Sequence, residues 1–146
     1  MEKFQDLEHT ADLGLRIYGE TMAELLTNAA EGMFSLIGQA DFRPSELRPL
    51  SIQISLKAEG SEGEPSYEQL LHQWLRRLLQ EFNLHCFFPV QFQVSVTSSE
   101  CSATVKGGSF DLAKHTFQTE IKGVTWHGLK VAKMNSGWEA EVIFDV

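Results

Sequence analysis

The sequence predicts an α+β fold: a single two-layer domain with two amphipathic helices packed on one face of a mostly antiparallel sheet. Two segments carry apolar residues at helical spacing, and several others alternate apolar and polar residues as half-buried strands do. Their order is strand, helix, strand, helix and then a run of strands. No segment of residues 1–146 has the composition of a linker, so one domain is expected over the whole range.

The first predicted strand and helix are consecutive. Residues 13–18 alternate between apolar and polar side chains, and Gly19 interrupts the pattern. Thr21 and Glu24 have the spacing of a capping box, in which the threonine hydroxyl accepts from an amide of the first turn. Apolar residues then recur every three or four positions through Ile37, which is typical of a helix that buries one side.

A second strand and helix follow with the same two kinds of pattern. Residues 52–58 alternate cleanly, and residues 59–66 are polar and acidic, as in a solvated loop. Ser66 and Gln69 form a second capping box before a helix whose apolar stripe ends at Phe82. The two helices are therefore each marked by a cap and by a stripe.

The remaining residues predict strands. Residues 90–96 and 101–106 alternate on either side of a turn, and residues 119–133 predict a long strand that bends at one of its glycines. Residues 135–137 predict a tight turn, and residues 138–146 alternate as a final strand that ends with the chain.

Composition indicates where the protein acts. The chain is 42% hydrophobic and 22% charged, which is the globular range. Its first residues are charged, and no apolar stretch approaches the length of a signal peptide core or a membrane span. We therefore expect a cytoplasmic protein without a membrane partner, in which Cys86 and Cys101 stay reduced.

The net charge narrows the classes of partner. Asp and Glu number 20 against 12 Lys and Arg, for a formal charge of −8. Because phosphate contacts dominate nucleic-acid affinity, so acidic a chain is not expected to bind RNA or DNA stably by itself. An acidic surface is better suited to cations or to a basic protein. Two cysteines are also too few for a cysteine-rich zinc site.

Two stretches contain candidate metal ligands. Asp145 is followed by Val146, so a carboxylate side chain and the α-carboxylate lie side by side, and a hard cation such as Ca²⁺, Mg²⁺ or Mn²⁺ would relieve their repulsion. His9 and Asp12 lie just before the first strand. From spacing alone, a metal role and a structural role, an Asx-turn at Asp12 and a hydrogen-bonded His9, both remain open.

Several motifs in register resemble the archease family. The resemblance covers the whole chain in order, and its strength lies in the combination and spacing of the motifs. The matching stretches are HTADLG at 9–14, YG at 18–19, AA and MF within 29–34, LL-x-x-WL-x-x-LL at 70–79, EIKGVTWHGL at 120–129, GWEA at 137–140 and VIFDV at 142–146.

The resemblance implies an accessory protein and not an enzyme. Archeases assist the GTP- and Mn²⁺-dependent ligase that joins RNA 3′-phosphate or cyclic-phosphate ends to 5′-hydroxyl ends in tRNA splicing and RNA repair. They are expected to promote guanylylation of the ligase and multiple turnover. By position, the family's divalent-metal site falls on Asp12, Asp145 and Val146, the last through its backbone or terminal carboxylate. A basic residue of the family falls on Lys114 or Lys122.

Two other classes of function are consistent with the residues. A free-standing metal-dependent phosphoester hydrolase would turn over its substrate without a partner, although the sequence contains no nucleophile motif. A metal-independent, chaperone-like module would tolerate the loss of Asp12 and Asp145. The sequence does not distinguish among divalent metals, oligomeric states or RNAs.

Overall fold

A computed structural model describes residues 2–8, 12–56 and 66–146. Two helices, α1 at Met22–Ile37 and α2 at Tyr67–His85, confirm the predicted pair, and a short 3-10 turn covers Pro44–Glu46. The strands are β1 Phe4–Glu8, β2 Leu13–Gly19, β3 Gly38–Gln39, β4 Arg48–Ser55, β5 Phe87–Val96, β6 Glu100–Ser109, β7 Thr116–Phe117, β8 Gly123–Val124, β9 Lys130–Met134 and β10 Gly137–Asp145.

These strands form three sheets, and every pairing is antiparallel. A five-stranded sheet runs β1-β2-β10, with β8 and β9 both paired to the other edge of β10. A three-stranded sheet has the order β4-β6-β5, and β3 pairs with β7. The α+β class is confirmed, while the strands divide among three sheets where one was expected. Alternation within a strand identifies its buried face but does not specify which strands pair.

Both helices pack between strands of the two larger sheets. Helix α1 contacts β2 and β5, and α2 contacts β4, β5, β8 and β9. The buried side chains of helices and sheets form one hydrophobic cluster, centred on Trp74, Phe144, Leu15, Ile17, Leu25 and Met33. Within the described ranges, neither helix combines the length and apolar content that a membrane span requires.

The predicted caps begin both helices. The Glu24 amide donates to Thr21 Oγ1 over 3.1 Å, and the Gln69 amide donates to Ser66 Oγ over 3.2 Å. Cys86 caps the C-terminus of α2, with a left-handed φ of 58° and an amide that donates to the Phe82 carbonyl over 2.8 Å. Capping of this kind satisfies amides and carbonyls that a helix end leaves without partners.

The pairing of β2 with β10 lies at the centre of the five-stranded sheet. Its register runs from Gly19 opposite Trp138 to Leu13 opposite Phe144. The alternating residues Leu15, Ile17, Val142 and Phe144 point inward and are fully buried. Two segments from opposite ends of the sequence are thereby joined through one continuous ladder.

The strand expected over residues 119–133 is broken in the structure. Its residues form β8 and β9, which occupy successive parts of the same edge of β10. A turn separates them, in which the Leu129 amide donates to the Trp126 carbonyl and Gly128 has a φ of +67°. The sequence predicted only a bend at one of the glycines, and the structure has a full turn at Gly128. Strand β1, a short edge strand with two acidic residues, was not predicted either.

Helix α2 also anchors β8 through His72. This side chain is 6% exposed, and its Nε2 lies 2.9 Å from the Val124 carbonyl oxygen. Because a carbonyl only accepts, Nε2 carries the proton of the neutral ring. The exposed indole of Trp126 stacks on the imidazole, with ring centroids 3.8 Å apart. Burial is the main cause that lowers the pKa of His72 below its ordinary value of 6.5, and the charge of Arg76 acts in the same direction.

Replacing the core indole tests its polar contact. Trp74 Nε1 donates to the Leu26 carbonyl over 2.8 Å, and the ring is fully buried. Trp74→Phe removes this hydrogen bond and part of the buried ring volume, and should lower the free energy of unfolding by about 2 kcal/mol in urea titrations. Trp126→Phe is the matched control, because Trp126 is 57% exposed and should change stability little. Equal losses in the two variants would contradict this account of the core.

The lowered pKa of His72 predicts a pH dependence of stability. As pH falls below 6.5, His72 becomes protonated in the unfolded chain while it is still neutral in the folded protein. The free energy of unfolding that is present above pH 6.5 is therefore lost as pH falls towards and through the folded-state pKa. Urea unfolding at about pH 7.5 and about pH 5 should show a smaller difference for His72→Gln than for wild type. His127→Gln, at an exposed histidine, should keep the wild-type difference. An unchanged difference in His72→Gln would contradict the assignment.

Candidate functional site

The β2–β10 ladder brings the two predicted aspartates to one end of the sheet. Leu13 pairs with Phe144, so Asp12, which precedes Leu13, and Asp145, which follows Phe144, are the next positions of opposing strands. Asp145 shares the strand parity of Glu141, and Asp12 shares the parity of Arg16. These positions belong to the sheet face opposite the buried side chains of Leu15 and Val142.

Neither carboxylate is neutralised by its described surroundings. Asp145 is exposed and Asp12 is half-buried. No described residue donates a hydrogen bond to either side chain or forms an ion pair with it. Like charges opposite each other on paired strands are unfavourable, and this repulsion is relieved by a cation. Val146, which follows Asp145, is 37% exposed and adds oxygens of its own backbone.

The acidic residues farther along β10 are compensated differently. Arg16 Nη2 lies 2.8 Å from Glu141 Oε1, and Arg16 Nε lies 3.3 Å from Glu139 Oε1. One guanidinium therefore serves two carboxylates in the middle of this sheet face. The contrast with Asp12 and Asp145, which have no such partner among the described residues, marks the strand end as the position with uncompensated negative charge.

The segment around β8 fixes the backbone of the strand end. The Lys122 amide donates to the Asp145 carbonyl oxygen over 2.7 Å. Both the amide and the hydroxyl of Thr125 donate to the Ile143 carbonyl, over 3.0 and 2.9 Å. His72 holds β8 from the other side through Val124. The last residues of β10 are thus held on two sides, by β2 and by β8.

The other candidate residues lie apart from this pair or cannot be placed. Lys114 lines a polar cavity of about 350 Å³ together with Asp41, Arg43 and Glu46. In that cavity Arg43 is the main cause that lowers the pKa of Glu46, and Lys114 adds to the effect. His9 and the acidic residues of 59–65 lie outside the described residues.

The two aspartate side chains supply too few ligands for a divalent cation by themselves. Across residues 2–8, 12–56 and 66–146, no group of three or more His, Cys, Asp or Glu side chains is close enough to hold a metal ion. Two carboxylates and the oxygens of Val146 are nevertheless hard ligands of the type that Ca²⁺, Mg²⁺ and Mn²⁺ prefer. Water completes the coordination of such ions in many proteins.

Three residues that support the site were not identified from the sequence. His72 lies among the apolar residues on the buried side of α2. That position is the one sign in the sequence that its side chain makes a structural contact. Arg16 is a polar position between apolar residues of β2, and the sequence does not indicate that it pairs with two glutamates. Glu68 Oε2 accepts from the Val131 amide over 2.9 Å and so connects the start of α2 to β9.

Comparisons with known proteins give a consistent relationship over the full length. A family model described as the Archease protein family matches residues 4–146. A protein archease of Methanosarcina mazei is 33% identical over 150 residues, covering 99% of this chain and 97% of the relative. A protein archease of Methanopyrus kandleri is 30% identical over 148 residues, covering 98% and 99%.

Solved structures share the fold. The solution structure of Methanobacterium thermoautotrophicum protein 1598 has a TM-score of 0.74 at 24% identity and covers all of both chains. The crystal structure of a Thermotoga maritima archease, described as a possible chaperone, has a TM-score of 0.66 at 20% identity and covers 97% of this chain and 96% of that one. Given the family match across residues 4–146, this chain belongs to the archease family.

Proposed function

We propose that this protein activates a GTP- and Mn²⁺-dependent RNA ligase of tRNA splicing and RNA repair, without joining RNA itself. Its working site is a divalent-metal site formed by Asp12, Asp145 and the backbone or terminal carboxylate of Val146. The ligase is the partner, and the effect is faster guanylylation of the ligase and repeated turnover. We further infer that the protein works in the cytoplasm.

One observation carries the proposal. The register of β2 and β10 brings Asp12 and Asp145 to adjacent positions at one strand end, although 132 positions separate them in the sequence (145 minus 12, less one). Their side chains have no counter-charge among the described residues, whereas Glu139 and Glu141 share Arg16. Two adjacent hard oxygen donors without a described counter-charge favour a divalent cation, whose coordination Val146 and water would complete.

The roles of the residues follow from this arrangement. Asp12 and Asp145 supply carboxylate oxygens, and the Lys122 amide holds the Asp145 carbonyl so that the side chain projects from a fixed backbone. A bound divalent ion supplies charge neutralisation for phosphate oxygens. Because the two strands are already paired, no loop has to become ordered when the ion binds. Ligands held in place in this way would assist a phosphoryl-type transfer electrostatically.

The overall charge supports a protein partner over direct RNA binding. A chain of formal charge −8 is repelled by a phosphate backbone and attracted by the basic cleft of an enzyme that binds RNA. A basic side chain near the metal would complement the same phosphate groups. Lys122 adjoins Asp145 through its backbone, whereas Lys114 lines the separate polar cavity, so the two lysines are distinguishable by mutation.

Metal binding can be tested without the ligase. Adding Mn²⁺ or Ca²⁺ should raise the unfolding temperature of the wild type, because an ion that binds only the folded state at about 100 times its Kd stabilises by about 2.7 kcal/mol. Asp12→Asn and Asp145→Asn should each abolish the rise while leaving the metal-free protein folded. Glu20→Gln, at an exposed acidic residue near the other end of β2, is the matched control and should keep the full rise.

Two results would remove the metal site from the proposal. One is an unfolding temperature of the wild type that does not respond to divalent ions at millimolar concentration. The other is a response that survives both asparagine substitutions, which would place the ion elsewhere on the molecule. Calorimetric titration of the same variants measures the stoichiometry, and the expected value is one ion per chain.

The activating role is tested with the cognate ligase, GTP, Mn²⁺ and a broken RNA. The wild type should raise ligase guanylylation and should increase the RNA joined per ligase above one. Asp12→Ala, Asp145→Ala and deletion of Val146 should return turnover to the level of the ligase alone, while Glu20→Gln should stimulate like the wild type. Parallel Lys114→Ala and Lys122→Ala variants identify which lysine contacts the partner.

The outcomes separate the three classes of function. Phosphoester hydrolysis by the protein alone, lost in the aspartate variants, would favour a free-standing hydrolase. Stimulation that survives all three site variants would keep the ligase as partner and remove the metal site. An inactive wild type that instead prevents aggregation of other proteins would favour a metal-independent chaperone-like module.

A further inference from the structure

Strand β8 depends on α2 for its position. It consists of two residues, Gly123–Val124, whereas strands of about five to six residues are usual. In the part of the chain that the structure describes, β8 pairs with β10 on one side and no strand pairs with its other side. Helix α2 also contacts β8, so it supplies the support that a second neighbouring strand would otherwise give.

One buried side chain of α2 makes the main polar contact with this segment. His72 is 6% exposed, and its Nε2 donates to the Val124 carbonyl over 2.9 Å. The indole of Trp126 stacks on the imidazole and covers one of its faces. Asn83 Nδ2 lies 3.5 Å from the Ile121 carbonyl oxygen, at the long limit of a hydrogen bond, so His72 makes the stronger of these two contacts.

In the described ladders, the backbone of Asp145 pairs with β8, whereas the β2 ladder ends one residue earlier. The last pair of β2 and β10 is Leu13 with Phe144. In β8, Gly123 lies opposite Asp145, and the Lys122 amide donates to the Asp145 carbonyl over 2.7 Å. The Asp145 side chain is exposed and makes no hydrogen bond or ion pair with the described residues, so its position depends on this backbone pairing.

Hydrogen bonds on both sides of Val124 connect His72 to the end of β10. The Val124 carbonyl accepts from His72 on the side that faces α2. The residue before β8, Lys122, holds the Asp145 carbonyl, and the residue after β8, Thr125, donates both its amide and its hydroxyl to β10. A displacement of Val124 from α2 would therefore disturb the hydrogen bonds that fix the backbone of Asp145.

We infer that His72 is a positioning residue of the candidate metal site. No described contact joins it to a candidate ligand, but it fixes β8 and, through β8, the backbone from which the Asp145 carboxylate projects. The inference rests on the proposed function for the ion itself and adds the residue of α2 that sets the geometry of the site. Loss of a group that orients metal ligands commonly lowers metal affinity. The coupling is reciprocal, so a bound ion in turn holds β8 against α2.

Asn28 provides a matched control in the same sheet. It is 4% exposed, and its Nδ2 donates to the Tyr18 carbonyl over 2.7 Å, so it also joins a helix to a strand through a buried side chain. Tyr18 pairs with Glu139, six positions from Asp145 (145 minus 139). His72→Leu and Asn28→Leu each remove one such contact, and only the first lies beside β8. His72→Gln keeps a donor, because its amide nitrogen is as many bonds from the backbone as the imidazole Nε2.

The first measurement needs no ion and follows hydrogen exchange of backbone amides by NMR. His72→Leu should speed exchange at Lys122 and Thr125 about five-fold or more relative to the amides of β6, because their hydrogen bonds to β10 open when β8 loosens. His72→Gln should keep rates near those of the wild type, and Asn28→Leu should leave the ratio to the β6 amides unchanged. An unchanged ratio in His72→Leu, or an equal rise in Asn28→Leu, would overturn the inference.

The second measurement is the Kd for Mn²⁺ of the same proteins, by calorimetric titration. His72→Leu should raise the Kd about five-fold or more, whereas His72→Gln and Asn28→Leu should stay within about two-fold of the wild type. A wild type that binds the ion and a His72→Leu variant with the same Kd would keep the metal site and overturn the role of His72. If the wild type binds no ion, the metal site of the proposed function fails, and the exchange rates alone support or overturn the connection from His72 to Asp145.

Discussion

The antiparallel pairing of β2 with β10 is the constraint on which the rest of the structure depends. It joins Leu13–Gly19 to Gly137–Asp145 across almost the whole sequence, so the loop that it closes is nearly as long as the chain. Closing such a loop is entropically unfavourable, and the fully buried side chains of the two strands offset the cost. Strand β1 extends one side of this pair, β8 and β9 extend the other, and α1 packs against it.

The same pairing creates opposite electrostatic situations along one sheet face. In its middle, Arg16 lies between Glu139 and Glu141 and compensates both. At its end, Asp12 and Asp145 meet without a described counter-charge, in backbone held on two sides by hydrogen bonds. Fold stability and the proposed cation site would therefore have a common origin.

The local features of the fold were accessible from sequence, and its long-range features were not. The caps at Thr21 and Ser66 and both amphipathic stripes act over a few residues, and all are present in the structure. The division into three sheets and the break after β8 depend on which strands meet, which alternation does not encode. For the site, spacing alone left Asp12 with two interpretations. Only the resemblance to the archease family assigned Asp12 and Asp145 to the same site. The contact of His72 with β8 was found only in the structure.

Paramagnetic broadening of backbone amide signals by sub-stoichiometric Mn²⁺ is the most direct test of the central claim. The effect falls steeply with distance, so the first signals lost report the residues around the ion. The account predicts simultaneous loss at residues 12–14 and 144–146, from two distant parts of the sequence. First losses confined to the acidic stretch 59–64, or to either chain segment alone, would contradict a site built by the β2–β10 ladder.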